Sequence, residues 1–223
     1  MSTAPPPSST ADQLPLRERK KLRTRQTLID TALERFTTDG FDGTTLDRLC
    51  AAVEVSKRTF FRYFSSKEDV AMAPTQDLWT AFLDDLEIRE PDHQTLLAML
   101  QDTLLAALER MPDEGWAHRV LLSHRLTATT PSMDAHGLQF CDRTSRQAMT
   151  LLGRRFELAD PQGLSSRLAL DLLVAAFHRA LERWAAEPGT PPARDDLAVH
   201  VRDAFAAIPG SLTLRVEPRS ERR

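Results

Sequence analysis

The 223-residue chain is 41% hydrophobic and 27% charged, a composition that suits one large globular domain or one small and one medium domain. No apolar stretch approaches the roughly 18–20 residues that a membrane span needs, which argues against a membrane protein. The net charge of −3 hides an asymmetry: Leu14 to Lys67 carries 12 Lys/Arg against 7 Asp/Glu, whereas Glu68 to Arg223 carries 17 against 24, and a cationic head on an anionic body suits contact with phosphates.

The first fifteen residues, MSTAPPPSSTADQLP, have neither the basic start nor the apolar core of a secretory signal and read as a disordered leader. Beyond them strand alternation is absent and helical spacing recurs, so the expected fold class is all-α. A first helix is expected from Leu16 to Asp39, with Leu22, Ile29, Ala32, Leu33 and Phe36 as its apolar stripe and Gly40 as its stop. A second is expected from Thr45 to Val53, capped by Thr44 or Thr45, and a third from Ser56 to Tyr63, capped by Ser56. The fourth opens at Ser66 and reaches Ile88, with a kink or break at Pro74, where proline removes a backbone donor and clashes with the preceding turn. Later boundaries follow the prolines: Asp92–Met111, Asp113–Ala128, Pro131–Phe156, Gly163–Glu187 and Arg194–Ile208, then a loose tail.

Three short helices within the first 50 or so ordered residues, the last two joined by a tight turn, describe a helix-turn-helix unit. A DNA major groove admits one helix, whose first turn must offer small or polar side chains to base edges. Ser56, Lys57, Arg58 and Thr59 occupy that place, while Phe60 and Phe64, four apart, face the core. Phe61, Arg62 and Tyr63 then fall towards the DNA. Lys67 opens a helix, where free N–H groups favour a phosphate.

The segment FDGTTLDRLCAAVEVSKRTFFRYFSSKEDV resembles the signature of the tetracycline-repressor (TetR) family. That signature has a Thr-Thr before the second helix, a Val-Ser before the third, an aromatic run, and Ser-Lys-Glu opening the fourth. The preceding RERKKLRTRQTLIDTALERF resembles the family's basic first helix. The match covers Arg17 to Val70, about a quarter of the chain. The resemblance implies a DNA-binding set of Arg17, Lys20, Lys21, Arg25, Thr45, Arg48, Ser56, Lys57, Arg58, Thr59, Phe61, Arg62, Tyr63 and Lys67. Within it Thr45 and Lys67 would hold phosphates. Two departures stand out: Phe61 takes the place of a backbone-contacting Tyr, and Glu54 the place of the turn Gly, where a positive φ would cost about 1 kcal/mol.

The expected organisation is a leader (1–15), a helix-turn-helix domain (16–66), a helical bundle for ligand binding and dimerisation (67–210) and a flexible tail (211–223). In the bundle Leu170, Val174, Phe177, Leu181 and Trp184 step by four and three, and Leu197, Val201 and Phe205 form a second stripe. The resemblance implies that these helices pair with their mates in a homodimer, which in turn implies a palindromic double-stranded DNA operator. Trp79, Phe82, Trp116, Phe140, Met149 and Phe177 are candidate walls of an apolar pocket for a small-molecule effector. No cofactor or metal is expected, because neither His118 with His124 nor His136 with Cys141 has a ligating helical spacing. Two cysteines, Cys50 and Cys141, fit a reducing cytoplasm and inert helical thiols.

An enzyme is disfavoured by the absence of a GxSxG elbow, phosphate loop, dinucleotide turn or HExxH motif. The expected function is a repressor released by an effector. An effector-independent regulator, an activator of the same fold and a helical protein-binding adaptor stand as the alternatives.

Overall fold

The computed structural model describes residues 15–112, 115–187 and 193–216. Among these residues it holds nine helices and no strand: α1 (Leu16–Thr38), α2 (Leu46–Ala52), α3 (Lys57–Phe60), α4 (Lys67–Ile88), α5 (Leu96–Glu109), α6 (Trp116–Thr127), α7 (Pro131–Arg155), α8 (Leu164–Ala185) and α9 (Arg194–Ser211). The leader and the end of the tail lie largely outside the described residues. No described helix is long and apolar enough to cross a membrane.

Four helices start on a hydroxyl that accepts a hydrogen bond from the amide three residues on: Thr45 from Arg48, Ser56 from Thr59, Ser66 from Asp69 and Thr95 from Ala98. Thr95 explains why α5 starts at Leu96 and not after Pro91. The third helix is shorter than expected. Regular α-helix ends at Phe60, and the chain continues to Phe64 through bonds from the amides of Arg62 to Thr59 and Tyr63 to Phe60 at 3.2 and 2.8 Å.

Two apolar cores form. Leu28, Ile29, Phe36, Leu49, Phe60 and Phe64 close the head together with Val70, Ala71 and Ala73 of α4 and Met133 of α7. Leu78, Phe82, Leu86, Leu100, Leu104, Phe177 and Leu197 belong to the larger core of the body. The helix α4 therefore passes from one core into the other, and its first turns belong to the head. Each fully buried side chain of this size contributes about 1.5–3 kcal/mol, so α4 is anchored at both ends.

Of the kink or break expected at Pro74, the break does not occur: α4 is continuous through it. Pro74 is buried between the two cores, and its carbonyl accepts a 3.0 Å bond from the Trp116 indole N–H. Burial on both sides outweighs the single backbone bond that proline removes. Leu22, placed in the apolar stripe of α1, is exposed, because that stripe becomes buried only from Leu28 onward.

The two stripes are open to packing inside the subunit and to meeting a second one, and the single chain shows the first use. Leu170, Phe177, Leu181 and Trp184 of α8 and Leu197, Val201 and Phe205 of α9 are all buried within the one chain, and Val174 is half-buried against the same core. Helical spacing locates an apolar face but does not say which neighbour covers it. Here α8 and α9 spend that face on each other and on α5.

Candidate nucleic-acid interface

The Thr-Thr pair at the end of the α1–α2 loop divides two tasks. The Thr44 hydroxyl, buried, donates to the carbonyl of Gly40 at 3.0 Å and ties the loop to the end of α1. The neighbouring Thr45 is exposed and caps α2. At its other end α2 closes with a Schellman arrangement: the amides of Val55 and Glu54 donate to the carbonyls of Cys50 and Ala51 at 3.0 and 3.2 Å. That motif requires a left-handed residue, and Glu54 supplies it at φ +55°. The turn keeps its geometry without a glycine.

This turn sets α3 with Phe60 and Phe64 in the head core and its remaining side chains outward. Ser56, Lys57, Arg58 and Arg62 are exposed, Phe61 is 56% exposed, and Thr59 and Tyr63 are half-buried. The Phe61 ring meets that of Phe60 edge-on at 5.6 Å and leaves its other side in water. Among the described residues Arg58 and Arg62 carry no ion pair, and Arg48 on α2 is also exposed. Lys57 differs, since its ammonium pairs with Asp47 of α2 at 2.8 Å. Arg17, Lys20 and Lys21 lie exposed along the first turns of α1, Lys21 within 3.8 Å of Glu18.

Two of the expected DNA contacts are engaged inside the protein. The Lys67 ammonium donates to the carbonyls of Phe41 and Thr44 at 2.8 and 3.0 Å and lies 4.5 Å over the Phe41 ring. It staples α4 to the α1–α2 loop and is not directed at solvent phosphate. Arg25 forms a two-pronged pair with Asp77 of α4, both bonds 2.8 Å, and stacks 5.3 Å over Phe64. It clamps α1 to α4. Local register placed both cations near the DNA side, and long-range partners redirected them.

Behind the head, α4, α6, α7 and α8 surround a cavity of about 260 Å³. Four of the expected wall residues line it: Trp79, Phe82, Phe140 and Phe177. Trp79 meets Phe82 and Phe177 edge-on at 5.4 and 5.2 Å. The other two do not line it. Trp116 is turned to Pro74, and Met149 is buried in the body core. The spacing of apolar residues could not separate a wall from the core behind it. Sequence reasoning missed the polar part of the lining, which includes Gln76, His124, Asp134, His178 and Glu182. Burial holds both imidazoles below their usual range, against an upward pull from Glu182. Burial also raises the thiols of Cys141, at the cavity, and Cys50, in the head, where Asp47 adds to the effect; both are therefore poor nucleophiles. Among the described residues no cluster of ligating side chains could hold a metal ion.

Comparison with known proteins gives the following. A family model described as "Bacterial regulatory proteins, tetR family" matches residues 28–73. The chain is 36% identical over 157 residues to the HTH-type transcriptional regulator TcmR of Streptomyces glaucescens, a match covering 68% of each protein. It is 27% identical over 74 residues to the biofilm operon icaADBC HTH-type negative transcriptional regulator IcaR of Staphylococcus epidermidis, covering 33% of this chain and 40% of that one. Among solved structures, a transcriptional regulator from Aquifex aeolicus VF5 superposes with a TM-score of 0.50 at 15% identity, covering 83% of this chain and 99% of that one. The fatty acid degradation regulator FadR from Bacillus halodurans does so with a TM-score of 0.50 at 16% identity, covering 86% and 97%. At these identities the two structures speak for the fold alone.

Proposed function

Since the chain belongs to the TetR family and is a DNA-binding transcriptional regulator, we propose that it works as a homodimeric, cytoplasmic repressor, released from a palindromic operator by a small molecule bound in the body cavity. The observation that carries this reading is the placement of α4. That helix opens in the head core, carries Trp79 and Phe82 into the cavity wall, and holds α1 through Asp77. A molecule that fits one position of α4 better than another shifts the head by its differential affinity for the two.

The DNA contacts in this reading fall into two groups. Arg17, Lys20, Lys21, Thr45 and Arg48 lie where phosphates would pass and set the register. Ser56, Lys57, Arg58, Thr59, Phe61, Arg62 and Tyr63 lie on or beside α3, where base edges are reachable. For the dimer, the outward faces of α8 and α9 offer what the buried stripes do not: Leu164, Leu168 and Val199 are 73%, 50% and 52% exposed. Repression is favoured by IcaR, which is named a negative regulator.

The test is an electrophoretic shift with DNA from upstream of the protein's own gene, at several salt concentrations, for the wild type and for Arg58→Ala with Arg62→Ala. A specific shift that the double substitution abolishes supports the reading. Equal binding to scrambled DNA by both proteins would sink it.

A further inference from the structure

The cavity has an aromatic interior and a one-signed rim. On α4 the lining is uncharged, with Gln76, Trp79 and Phe82 among its members. The charged or titratable groups come from the other three helices: His124 on α6, Asp134 on α7, and His178 with Glu182 on α8. No lysine or arginine lines it. Neither imidazole has a hydrogen-bond partner among the described residues; His124 is half-buried and His178 is exposed. Asp134, on the first turn of α7, has no ion pair among the described residues.

Cations do stand nearby. Arg179 pairs with Glu182 at 2.7 Å and Arg143 lies 5.4 Å over the Phe140 ring. Both lie outside the lining, and both are exposed, as Asp134 and Glu182 also are; Glu182 stands as a paired carboxylate and Asp134 as the unpaired one. Burial keeps both imidazoles below their usual range, against an upward pull from Glu182. An anion entering the cavity would meet the unpaired carboxylate of Asp134 beside a Glu182 already paired with Arg179, whereas a cation gains from Asp134 and from the faces of Trp79 and Phe177.

We propose that the cavity selects flat aromatic cations, such as protonated aromatic amines, and rejects carboxylates of the same shape. This rests on the reading of the cavity as the effector site and names the class of molecule it would take.

Three probes share one ring system and differ in charge: acridine, an aminoacridine that is cationic at neutral pH, and an acridine carboxylate. Their affinities for the full-length protein are measured by calorimetry. The aminoacridine is expected to bind at least about tenfold more tightly than the carboxylate, with acridine between them. In Asp134→Asn with Glu182→Gln, both positions exposed, the ratio should shrink to about threefold or less while acridine affinity stays. Val174→Trp, which fills the cavity, should lose all three probes. Carboxylate binding equal to or tighter than aminoacridine binding would overturn the charge selection and leave the cavity reading standing. An unchanged ratio in the double variant would also overturn it, as would aminoacridine binding retained by Val174→Trp. Failure of all three probes to bind the wild type would overturn the cavity as an effector site, and the selection with it.

Discussion

Glu54 occupies a left-handed position, φ +55°, in the turn that sets α3. A side chain there costs about 1–2 kcal/mol relative to glycine, while glycine costs about 0.5–1 kcal/mol more in lost chain freedom on folding. The first effect wins, so Glu54→Gly should stabilise the protein by about 0.5–1 kcal/mol with the turn unchanged. Urea denaturation checks this, and a loss of stability would show that Glu54 contributes something its backbone does not reveal. Lys67 makes the opposite case, because its local context misleads. A lysine at a helix start reads as a phosphate ligand, but its partners are carbonyls 26 and 23 residues away. Charged hydrogen bonds of this kind are worth about 1.5–3 kcal/mol each at most. Lys67→Ala should therefore lower stability by about 1–3 kcal/mol and leave the salt dependence of DNA binding intact. A salt slope reduced by about one unit at unchanged stability would restore it to the DNA surface.

At the scale of elements, the helices were legible in the sequence because caps and stop signals are local. Ser56 and Ser66 each announce the helix that follows them, whereas Pro91 drew the expected start of α5 to Asp92, ahead of its Thr95 cap. What local signals could not show is how a helix behaves when two cores hold it, and so the expected break at Pro74 failed. Nor could they show the clamp between α1 and α4. Arg25 and Asp77 are 52 residues apart, and each alone is an ordinary charge on a helix face. Their two parallel bonds make the pair geometrically specific, although side chains 30% and 40% exposed leave it partly screened. Arg25→Ala and Asp77→Ala should each destabilise the protein, with a coupling energy of about 1 kcal/mol in a double-mutant cycle. Additive effects would mean that the two side chains do not hold head to body. The same clamp joins the head to the helix that lines the cavity, so Asp77→Ala should also raise amide exchange in α1.

For the whole molecule, the question is which apolar surface the fold spends on itself and which it leaves for a second copy. A stripe stepping by four and three along α8 looked like a subunit seam, yet Phe177 is 1% exposed within the single chain. Its neighbours in that stripe, Leu170 and Leu181, are as deeply placed in the body core. The opposite side of the same two helices carries Leu164, Leu168 and Val199 in water. Isolated exposed apolar residues are common; Leu164 and Leu168 lie one turn apart at the start of α8, and Val199 lies towards the other end of the pair, where His200 meets Glu187 at 3.0 Å. The two faces respond differently to one substitution. Phe177→Glu buries a charge without a partner and opens space for the lost ring, which should cost at least about 3 kcal/mol and yield unfolded or aggregated protein. Leu168→Glu and Val199→Glu place a charge where solvent already reaches, so the fold should survive. If two copies pair through this face, each change brings like charges together across it, and dissociation should follow. Sedimentation separates the outcomes when read with circular dichroism: a helical monomer for Leu168→Glu with Val199→Glu, and loss of helical signal for Phe177→Glu. A helical dimer from the double variant would move the interface away from α8 and α9. A helical monomer from Phe177→Glu would return it to the inner stripe.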